Sequence, residues 1–277
     1  MNKDETKLED LNEWINSIKS LPAWVKLYSL NHHSPSQINA ADDMWGYKYL
    51  YLTQEERRKL PGNSKMKSGV IIGELGQKKY GNFIWEYEKG SGLIKKEIKK
   101  EKKLFDAAVE KFNLYEPVDE NDKLQHEANK LSLALTWDQL QKALDQIGLK
   151  EPVECERSVS LELPHCKLPV IGRIDYEDQN NFIELKTKWR KKNRPKADGT
   201  SSFSIVKIKE KYQGWEDHIL QVAFYYLATR KKPHLVVVNE SSFNIFTPEN
   251  CQYLRPENLE KYMNKMSMIC SNRERIM

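Results

Sequence analysis

The chain has 277 residues, of which 39% are hydrophobic and 31% are charged, and its formal net charge is +5 at pH 7. This balance is typical of a globular protein with a substantial core and argues against intrinsic disorder. No run approaches the ~18 consecutive apolar residues of a membrane span, so we expect no membrane partner.

The first half of the chain predicts mainly helices. Apolar residues recur there at helical spacing, and Ser34 followed by Pro35 is typical of a helix start. The predicted helices cover residues 4–19, 34–52, 64–79, a basic amphipathic stretch at 93–112, 121–135, and 137–147 with Thr136 as its cap.

The second half predicts strands with interspersed helices. Apolar and polar residues alternate over residues 153–163, 170–176 and 182–187. A helix at 215–229, strands at 235–238 and 243–246, and a helix at 256–270 follow. We therefore expect an α/β fold with a mixed central sheet flanked by helices. Residues 1–150 form its mainly helical N-terminal lobe within the same domain, and residues 151–277 carry the sheet.

The stretch GRIDYEDQNNFIELKTK at 172–188 predicts a hairpin with two acids and a lysine in the middle of its strands. Side chains two residues apart share a face of a strand, so Glu184 and Lys186 point the same way. If residues 178–181 close the turn, Asp175 falls opposite Glu184. A register shift of one residue would instead put the two acids on opposite faces.

The chemistry of this cluster favours a divalent cation. Like charges opposite each other destabilise a strand pair, and Mg²⁺ or Mn²⁺ prefers carboxylate oxygens and can bridge to a phosphate. Lys186 could then orient a water molecule or stabilise developing negative charge. An ordinary surface salt bridge, worth ~0–1 kcal/mol, is the alternative for the same residues.

Two features outside the hairpin point to a nucleic acid. Ten Lys or Arg against two acids between residues 186 and 211 give that segment a net charge of +8, so the remainder carries −3. Phosphate neutralisation is the main source of nucleic-acid affinity, and we expect this segment and the 93–112 stretch to line a DNA path. In the 215–229 helix, Gln221 and Tyr225 lie one turn apart, where they could contact a strand or Lys186.

A strand with G-x-x-D, a strand with E-x-K, a helix with Q-x-x-x-Y and two further strands resemble the PD-(D/E)XK nuclease superfamily. The similarity is to its RecB- and Cas4-like exonuclease branch, which includes the mitochondrial genome-maintenance exonucleases and phage and bacterial relatives. It covers residues 154–246, and HHSPSQINAADDMWGYKYL resembles the opening helix of that branch. The resemblance implies a restriction-endonuclease-like sheet flanked by helices.

The resemblance also implies residue roles. Asp175 and Glu184 would bind Mg²⁺ or Mn²⁺, the Leu185 carbonyl would be a third ligand, and Lys186 would be the catalytic lysine. Gly73 stands where a His often completes the metal shell, which leaves its neighbour Glu74 as a candidate ligand. The expected DNA-binding residues are Gln221, Tyr225, Lys188, Arg190, Lys191, Lys192, Arg194, Ser34 and Ser36.

Cas4-like members hold an iron–sulfur cluster through four cysteines, one before the core and three near the C-terminus. Cys155, Cys166, Cys251 and Cys270 lack that arrangement, so we expect no cluster. The N-terminal stretch has no apolar signal region and no Arg-rich, acid-poor character. We therefore expect an intracellular, cytoplasmic protein of bacterial or phage type.

These observations predict a metal-dependent deoxyribonuclease. It would be an exonuclease that hydrolyses phosphodiester bonds of single-stranded DNA or DNA ends in replication, repair or recombination. Two alternatives remain: a structure-specific or restriction-type endonuclease on the same core, and a non-catalytic nucleic-acid-binding protein.

Overall fold

The computed structural model describes residues 31–38, 40, 42–60, 62–88, 91–100, 103–195, 200–212 and 216–276. The helix expected at 4–19 lies outside them. Across these ranges no helix is both long enough and apolar enough to cross a membrane.

The elements alternate between helices and strands along the chain. The helices are α1 Pro35–Ile38, α2 Asp42–Gly46, α3 Gln54–Lys59, α4 Ser64–Tyr80, α5 Leu104–Asn113, α6 Glu120–Ile147, α7 Glu216–Thr229, α8 Pro256–Leu259 and α9 Tyr262–Arg275. The strands are β1 Phe83–Glu88, β2 Gly92–Glu97, β3 Glu154–Leu161, β4 Val170–Glu177, β5 Asn181–Thr187, β6 Lys191–Lys192, β7 Phe203–Ser204, β8 Lys232–Val238 and β9 Phe243–Phe246. A π-helical turn at Tyr47–Tyr51 and a 3₁₀ turn at Gln252–Leu254 complete the set.

Within the described residues, seven strands form one mixed sheet in the order β2-β1-β3-β4-β5-β8-β9. The β1–β3 and β5–β8 pairs are parallel, and the other neighbours are antiparallel. The predicted α/β class with a mixed central sheet flanked by helices is confirmed.

Two apolar layers cover the two faces of the sheet. On one face, Ile174 and Phe182 pack with residues of α7 and α9. On the other, Tyr176 and Ile183 pack with residues of α4, α5 and α6. Phe182 and Ile183 face opposite ways because successive side chains of a strand alternate. The helices of the first half therefore supply one of the two core layers on this sheet.

The prediction of a basic helix over residues 93–112 is wrong for its first part. Gly92–Glu97 is strand β2, paired with β1, and helix α5 begins only at Leu104. Lys95 and Lys96, two of the lysines that suggested a helical face, lie on this strand instead. Lys96 Nζ is 3.1 Å from Glu86 on β1, and Lys95 lies over the Phe83 ring. Cross-strand charge pairs and buried Leu93 stabilise this hairpin, which the helical reading of the first half missed.

Three other helix boundaries differ from the prediction. Residues 121–147 form one helix, because Thr136 lies inside it and its hydroxyl donates to the Ser132 carbonyl instead of capping a new start. The helices expected at 34–52 and 256–270 are each divided, into α1, α2 and the π turn, and into α8 and α9.

The hairpin turn forms as predicted. Glu177 pairs with Phe182, and residues 178–181 close the turn. The Asp178 carboxylate accepts N–H groups from Asn180 at 2.8 Å, Asn181 at 2.7 Å and Lys150 at 3.0 Å. Burial opposes ionisation of Asp178, but these hydrogen bonds outweigh it and hold the pKa below the ordinary value.

Replacing Asp178 with alanine is expected to lower the free energy of unfolding by about 1.5–3 kcal/mol at pH 7, because hydrogen bonds to a charged group are lost. The pKa of Asp178 is lowered in the fold, so its contribution is complete above the ordinary value of 3.8 and is lost as pH falls through the folded value. Urea unfolding of Asp178→Ala and the wild type from pH 7 to pH 2.5 measures this. Asp178→Asn, which keeps an acceptor, is the control, and a pH-independent difference would contradict the assignment.

Candidate active site

A cleft of about 1140 Å³ lies at the edge where β4 and β5 separate. Its walls come from α4, α5, the β1–β2 hairpin and the strands β3, β4 and β5. The candidate residues that line it are Glu74, Asp175, Glu184, Leu185 and Lys186. The fold therefore brings Asp175, Glu184 and Lys186 together in one cavity with Glu74, which comes from the first half of the chain.

Strands β4 and β5 stop pairing just before the acids. Their ladder ends at Tyr176–Ile183, and the Asp175 carboxylate instead accepts the Leu185 backbone N–H at 2.7 Å. Ile174 and Tyr176 lie in opposite core layers although they are two residues apart, so β4 is irregular at Asp175. The predicted register is right at the turn. The same register places Asp175 next to Glu184 as expected, but the ladder ends before them, because the Asp175 carboxylate accepts the Leu185 N–H.

Glu184 is buried with one of its oxygens unpaired. Only 2% of the surface of Glu184 is exposed, and its Oε1 lies 2.6 Å from Lys186 Nζ. Oε2 has no hydrogen-bond partner among the described residues. Burial raises the pKa of Glu184, and Lys186 opposes that rise. A buried carboxylate oxygen without a partner is costly, so this atom is a natural ligand for a cation.

The Asp175 carboxyl is also held in an unfavourable charge environment. Burial raises its pKa well above the ordinary value, and the neighbouring charges of Glu184 and Glu156 raise it further. The Leu185 N–H and Lys186 offset these effects only in part, and a cation between the acids would stabilise their ionised forms further.

Lys186 is positioned by a chain of hydrogen bonds from α7. Its Nζ donates to Gln221 Oε1 at 2.8 Å, and Gln221 Nε2 donates to the Tyr225 hydroxyl at 3.2 Å. The Tyr225 hydroxyl donates to the Arg173 carbonyl on β4 at 2.5 Å. Tyr225 is 1% exposed, so it fixes the lysine and offers no open ring face to a DNA strand. Of the two contacts that the Q-x-x-x-Y spacing allowed, the structure shows the one with Lys186, and DNA contact by Gln221 and Tyr225 stays a prediction.

Close packing around Gly172 explains why the G-x-x-D motif has a glycine at this position. A Cβ there would lie 2.6 Å from Pro35 Cγ, 2.8 Å from a Phe224 ring atom and 3.1 Å from a Tyr225 ring atom. Only glycine lets α1 and α7 approach β4 this closely. The motif thus places the Tyr225 ring against the strand that carries Asp175.

Glu156 is an acid of this cleft that the sequence reasoning missed. It lies on β3 opposite Asp175, between the ladder pairs Cys155–Tyr176 and Arg157–Ile174. Its φ of 54° is in the left-handed region, and its carboxylate accepts Gln77 Nε2 at 2.7 Å. Burial raises its pKa, while Arg173, 3.9 Å away, lowers it. The β3–β4 register is the same on both sides of Glu156, so the pairing of the strands gives no sign of this residue and no local sequence signal indicated it.

Glu74 faces the cleft but already has a partner. Its carboxylate is 2.6 Å from Lys111 Nζ on α5, and the side chain is partly exposed. Neighbouring Gly73 also lines the cleft, and a Cβ added there would meet nothing within 4 Å. The structure therefore leaves room at Gly73 for a larger side chain, and it places Glu74 in an ion pair at the rim.

The basic segment after β5 divides into paired and exposed residues. Arg190 makes a bidentate pair with Glu240 at 2.7 Å for each bond, and Lys192 donates to Asn121 at 2.6 Å. Burial and the charge of Lys186 lower the pKa of Lys188. Lys191 and Arg194 are exposed. Arg190 thus has a structural partner, and DNA contact by the residues of this segment stays a prediction.

Ser34 and Ser36 lie apart from the acids, in a neighbouring cavity. Their hydroxyl oxygens are 3.1 Å apart, and both residues line that cavity together with Gln221 and Tyr225. The loop that precedes them is fixed to the rest of the fold, since His33 N–H donates to the Pro169 carbonyl at 2.9 Å. These serines therefore share a surface with the residues that hold Lys186.

A hard divalent cation fits the donor set of the cleft. Mg²⁺ is usually held by one or two carboxylates, several waters and substrate phosphates, and Asp175 with Glu184 supplies two carboxylates with one oxygen unpaired. No cluster of three or more His, Cys, Asp or Glu side chains with metal-binding geometry occurs in the described ranges. The arrangement therefore suits a partly hydrated Mg²⁺ or Mn²⁺ better than a closed protein cage.

The four cysteines are free thiols, and the thiols of Cys166 and Cys270 are in hydrogen-bond contact with each other. Cys155 lies in the core layer beneath α4 and α6, and Cys251 and Cys270 lie in the layer on the opposite face of the sheet. The absence of an iron–sulfur cluster stays a prediction.

Comparisons with known proteins add little to this geometry. No protein-family model matches the chain. No curated protein matches it either. A solved structure titled "Crystal structure of SSO0001" is similar with 15% identity and a TM-score of 0.29. The match covers 52% of this chain and 59% of that chain, so the chain spans less than two thirds of that protein. A likeness this weak carries no argument about fold or function.

Mn²⁺ binding tests the assignment of the two carboxylates. Glu184→Gln and Asp175→Asn are expected to weaken Mn²⁺ binding at least tenfold (~1.4 kcal/mol), because each removes a charged ligand. Glu74→Gln is expected to change it much less, since Glu74 is paired with Lys111. Isothermal titration calorimetry on the three variants measures this. Equal losses in all three would place Glu74 in the metal shell.

The same variants test the strain of the apo site. In EDTA, Glu184→Gln and Asp175→Asn are expected to raise the thermal unfolding midpoint by about 2–4 °C for each kcal/mol of repulsion and desolvation removed. Glu74→Gln, which breaks an ion pair, should not raise it. Lower midpoints for both core variants would refute the proposal that these acids are uncompensated without a cation.

Proposed function

We propose that the protein is a divalent-metal-dependent deoxyribonuclease that hydrolyses phosphodiester bonds as an exonuclease on single-stranded DNA or DNA ends. The observation that carries the proposal is the unpaired, buried Glu184 Oε2 next to Asp175, with Lys186 held at the same point by Gln221. A hard cation and a phosphate are the ligands that this combination accommodates best.

The resemblance supports the same function. The order of G-x-x-D, E-x-K and Q-x-x-x-Y along the chain is matched by hydrogen bonds that connect these motifs in space. We therefore propose membership of the PD-(D/E)XK superfamily, in the RecB- and Cas4-like branch. A role in replication, repair or recombination, and a cytoplasmic location of bacterial or phage type, belong to this proposal.

The residues of the chain divide the chemistry as follows. Asp175 and Glu184 would hold Mg²⁺ or Mn²⁺, with the Leu185 carbonyl as a further ligand. When bound, the cation supplies Lewis-acid polarisation of the phosphoryl oxygen and lowers the pKa of water. Lys186 orients the attacking water and stabilises negative charge that develops on the phosphate. Gln221 and Tyr225 fix the position of the Lys186 ammonium.

The charged rim of the cleft supports a polyanionic substrate. Lys78, Lys96, Lys99 and Lys111 line the cleft around the acids, and Arg173 borders it on the β4 side. Lys188, Lys207, Lys209 and Lys211 gather at a further surface pocket on the basic segment. Two sources of positive charge around one acidic centre suit a strand whose phosphates extend away from the cleaved bond.

Cleavage of end-labelled single-stranded DNA tests the proposal. Wild-type protein with Mg²⁺ or Mn²⁺ is expected to degrade the strand, and EDTA is expected to stop degradation. Lys186→Ala is expected to lower the rate about 100- to 1,000-fold, because it removes a donor aimed at developing charge. Lys142→Ala, on an exposed lysine of α6 paired only locally with Asp138, is the matched control with an unchanged rate.

The choice of substrate separates the alternatives. A covalently closed single-stranded circle is expected to stay intact, and its cleavage would favour an endonuclease. Tight, salt-sensitive binding with no cleavage in any metal would favour a non-catalytic nucleic-acid-binding protein. Metal-independent cleavage, or full activity in Lys186→Ala, would refute the proposed chemistry.

A further inference from the structure

A second cavity of about 590 Å³ adjoins the main cleft. Tyr87 on β1 and Arg173 on β4 line both cavities. Gln221, which holds Lys186 from the other side, also lines the second cavity. The two cavities are therefore neighbouring compartments of one groove, with Tyr87 and Arg173 at their boundary.

The two compartments differ in charge. The main cleft is lined by six acids, which are Glu74, Glu86, Glu97, Glu156, Asp175 and Glu184. Among the described residues that line the second cavity, none has a carboxylate; they are Asn31, His32, Ser34, Pro35, Ser36, Tyr87, Leu93, Ser158, Ile171, Gly172, Arg173, Gln221 and Tyr225. A lining of hydroxyl, amide and apolar groups suits a ligand with a small polar ring. The volume of the cavity lies within the range of ~300–1,000 Å³ that is typical of ligand pockets.

The ionisable groups at the second cavity favour an anion at its boundary and a neutral group inside. Burial and the charges of His33 and Arg173 lower the pKa of His32, which favours the neutral form of its ring. The Arg173 side chain is more than half exposed, and the nearest acid, Glu156, lies 3.9 Å away. Arg173 therefore retains donors for a phosphate that crosses between the cavities.

Tyr87 supplies an exposed aromatic surface at the same boundary. The exposed fraction of Tyr87 is 57%. Its partner on β2, Leu93, is buried and also lines the second cavity. A tyrosine left open on a hairpin beside a cleft has little value for packing. Its ring is suited to stack on a nucleobase, because every base presents a π-face.

We propose that the second cavity binds one unpaired nucleotide of the DNA strand whose adjoining phosphodiester lies at Lys186. Arg173 pairs with the connecting phosphate, and the Tyr87 ring stacks on the base. A base that is still paired cannot enter this compartment with its partner, so the subsite selects single strands and frayed ends. This inference rests on the proposed nuclease function and assigns the substrate feature that its site reads.

Binding without cleavage tests the subsite. In EDTA, a 12-nucleotide single-stranded DNA with 2-aminopurine is titrated with protein, and both fluorescence quenching and anisotropy are recorded. Wild type and Tyr87→Phe are expected to quench the base. Tyr87→Ala is expected to lose the quenching and to bind about 5- to 100-fold more weakly, the cost of one lost stacking contact. Tyr51→Ala, at a 79% exposed tyrosine that lines neither cavity, is the matched control with wild-type behaviour.

Salt dependence tests the role of Arg173. Arg173→Gln is expected to reduce the slope of log affinity against log salt by about 0.7, the value for one phosphate contact on a single strand. Tyr87→Ala should leave that slope unchanged, because stacking releases no counterions. The same slope in wild type and Arg173→Gln would remove the phosphate contact from the proposal.

Two further binding measurements test which class of ligand the second cavity accepts. A fully paired duplex with the same 2-aminopurine should bind without Tyr87-dependent quenching. Thymidine 5′-monophosphate should compete far more weakly than the oligonucleotide. A mononucleotide that binds as tightly as the strand, or a duplex that depends equally on Tyr87, would overturn the assignment to an unpaired nucleotide of a strand.

The outcomes separate this inference from the nuclease proposal. If cleavage depends on Lys186 but Tyr87→Ala binds the strand and quenches the base as well as the wild type does, the subsite is refuted and the nuclease proposal is supported. Tyr87-dependent binding of single strands by a protein that cleaves none in any metal would support the subsite and refute hydrolysis.

Discussion

The Asp175 carboxylate accepts the Leu185 N–H at the position where a regular antiparallel pair would place a backbone carbonyl. This side-chain acceptor lets β4 and β5 separate while the Leu185 N–H keeps a hydrogen bond. The neighbouring strand is irregular at the same level, with Glu156 in the left-handed region. The sheet therefore opens along one line, and the cleft occupies the opening.

Stability and function oppose each other at this opening. Three acids, Glu156, Asp175 and Glu184, lie on adjacent strands, and burial raises the pKa of each. The fold tolerates them because the surrounding layers are well packed, with Tyr176 and Ile183 on one side and Ile174 and Phe182 on the other. Under the proposed function, a bound cation and phosphate would offset the cost of this arrangement, as expected of a site organised for its ligands.

The elements that surround Glu156, Asp175 and Glu184 limit access to these acids. The β1–β2 hairpin extends the sheet beyond β3 and forms a wall of both cavities, so under the proposed function the edge of the sheet would belong to the substrate path. Helix α7 contributes from the opposite side through Gln221 and Tyr225, and Gly172 allows this helix to approach β4 closely. Cavity, hairpin and helix thus converge on Lys186 from different parts of the chain.

Local patterns in the sequence predicted the α/β class, the 178–181 turn and the grouping of Asp175, Glu184 and Lys186, because alternation and turn residues act over a few positions. They misassigned β2 as helix, since lysines on a strand edge and on a helix face look alike until their partners Glu86 and Phe83 are placed. Glu156, Tyr87 and Arg173 gained their positions only when distant strands paired. The unpaired Glu184 oxygen, the Asp175–Leu185 bond and the second cavity depend on contacts between segments far apart in the chain, so only the tertiary structure decided them.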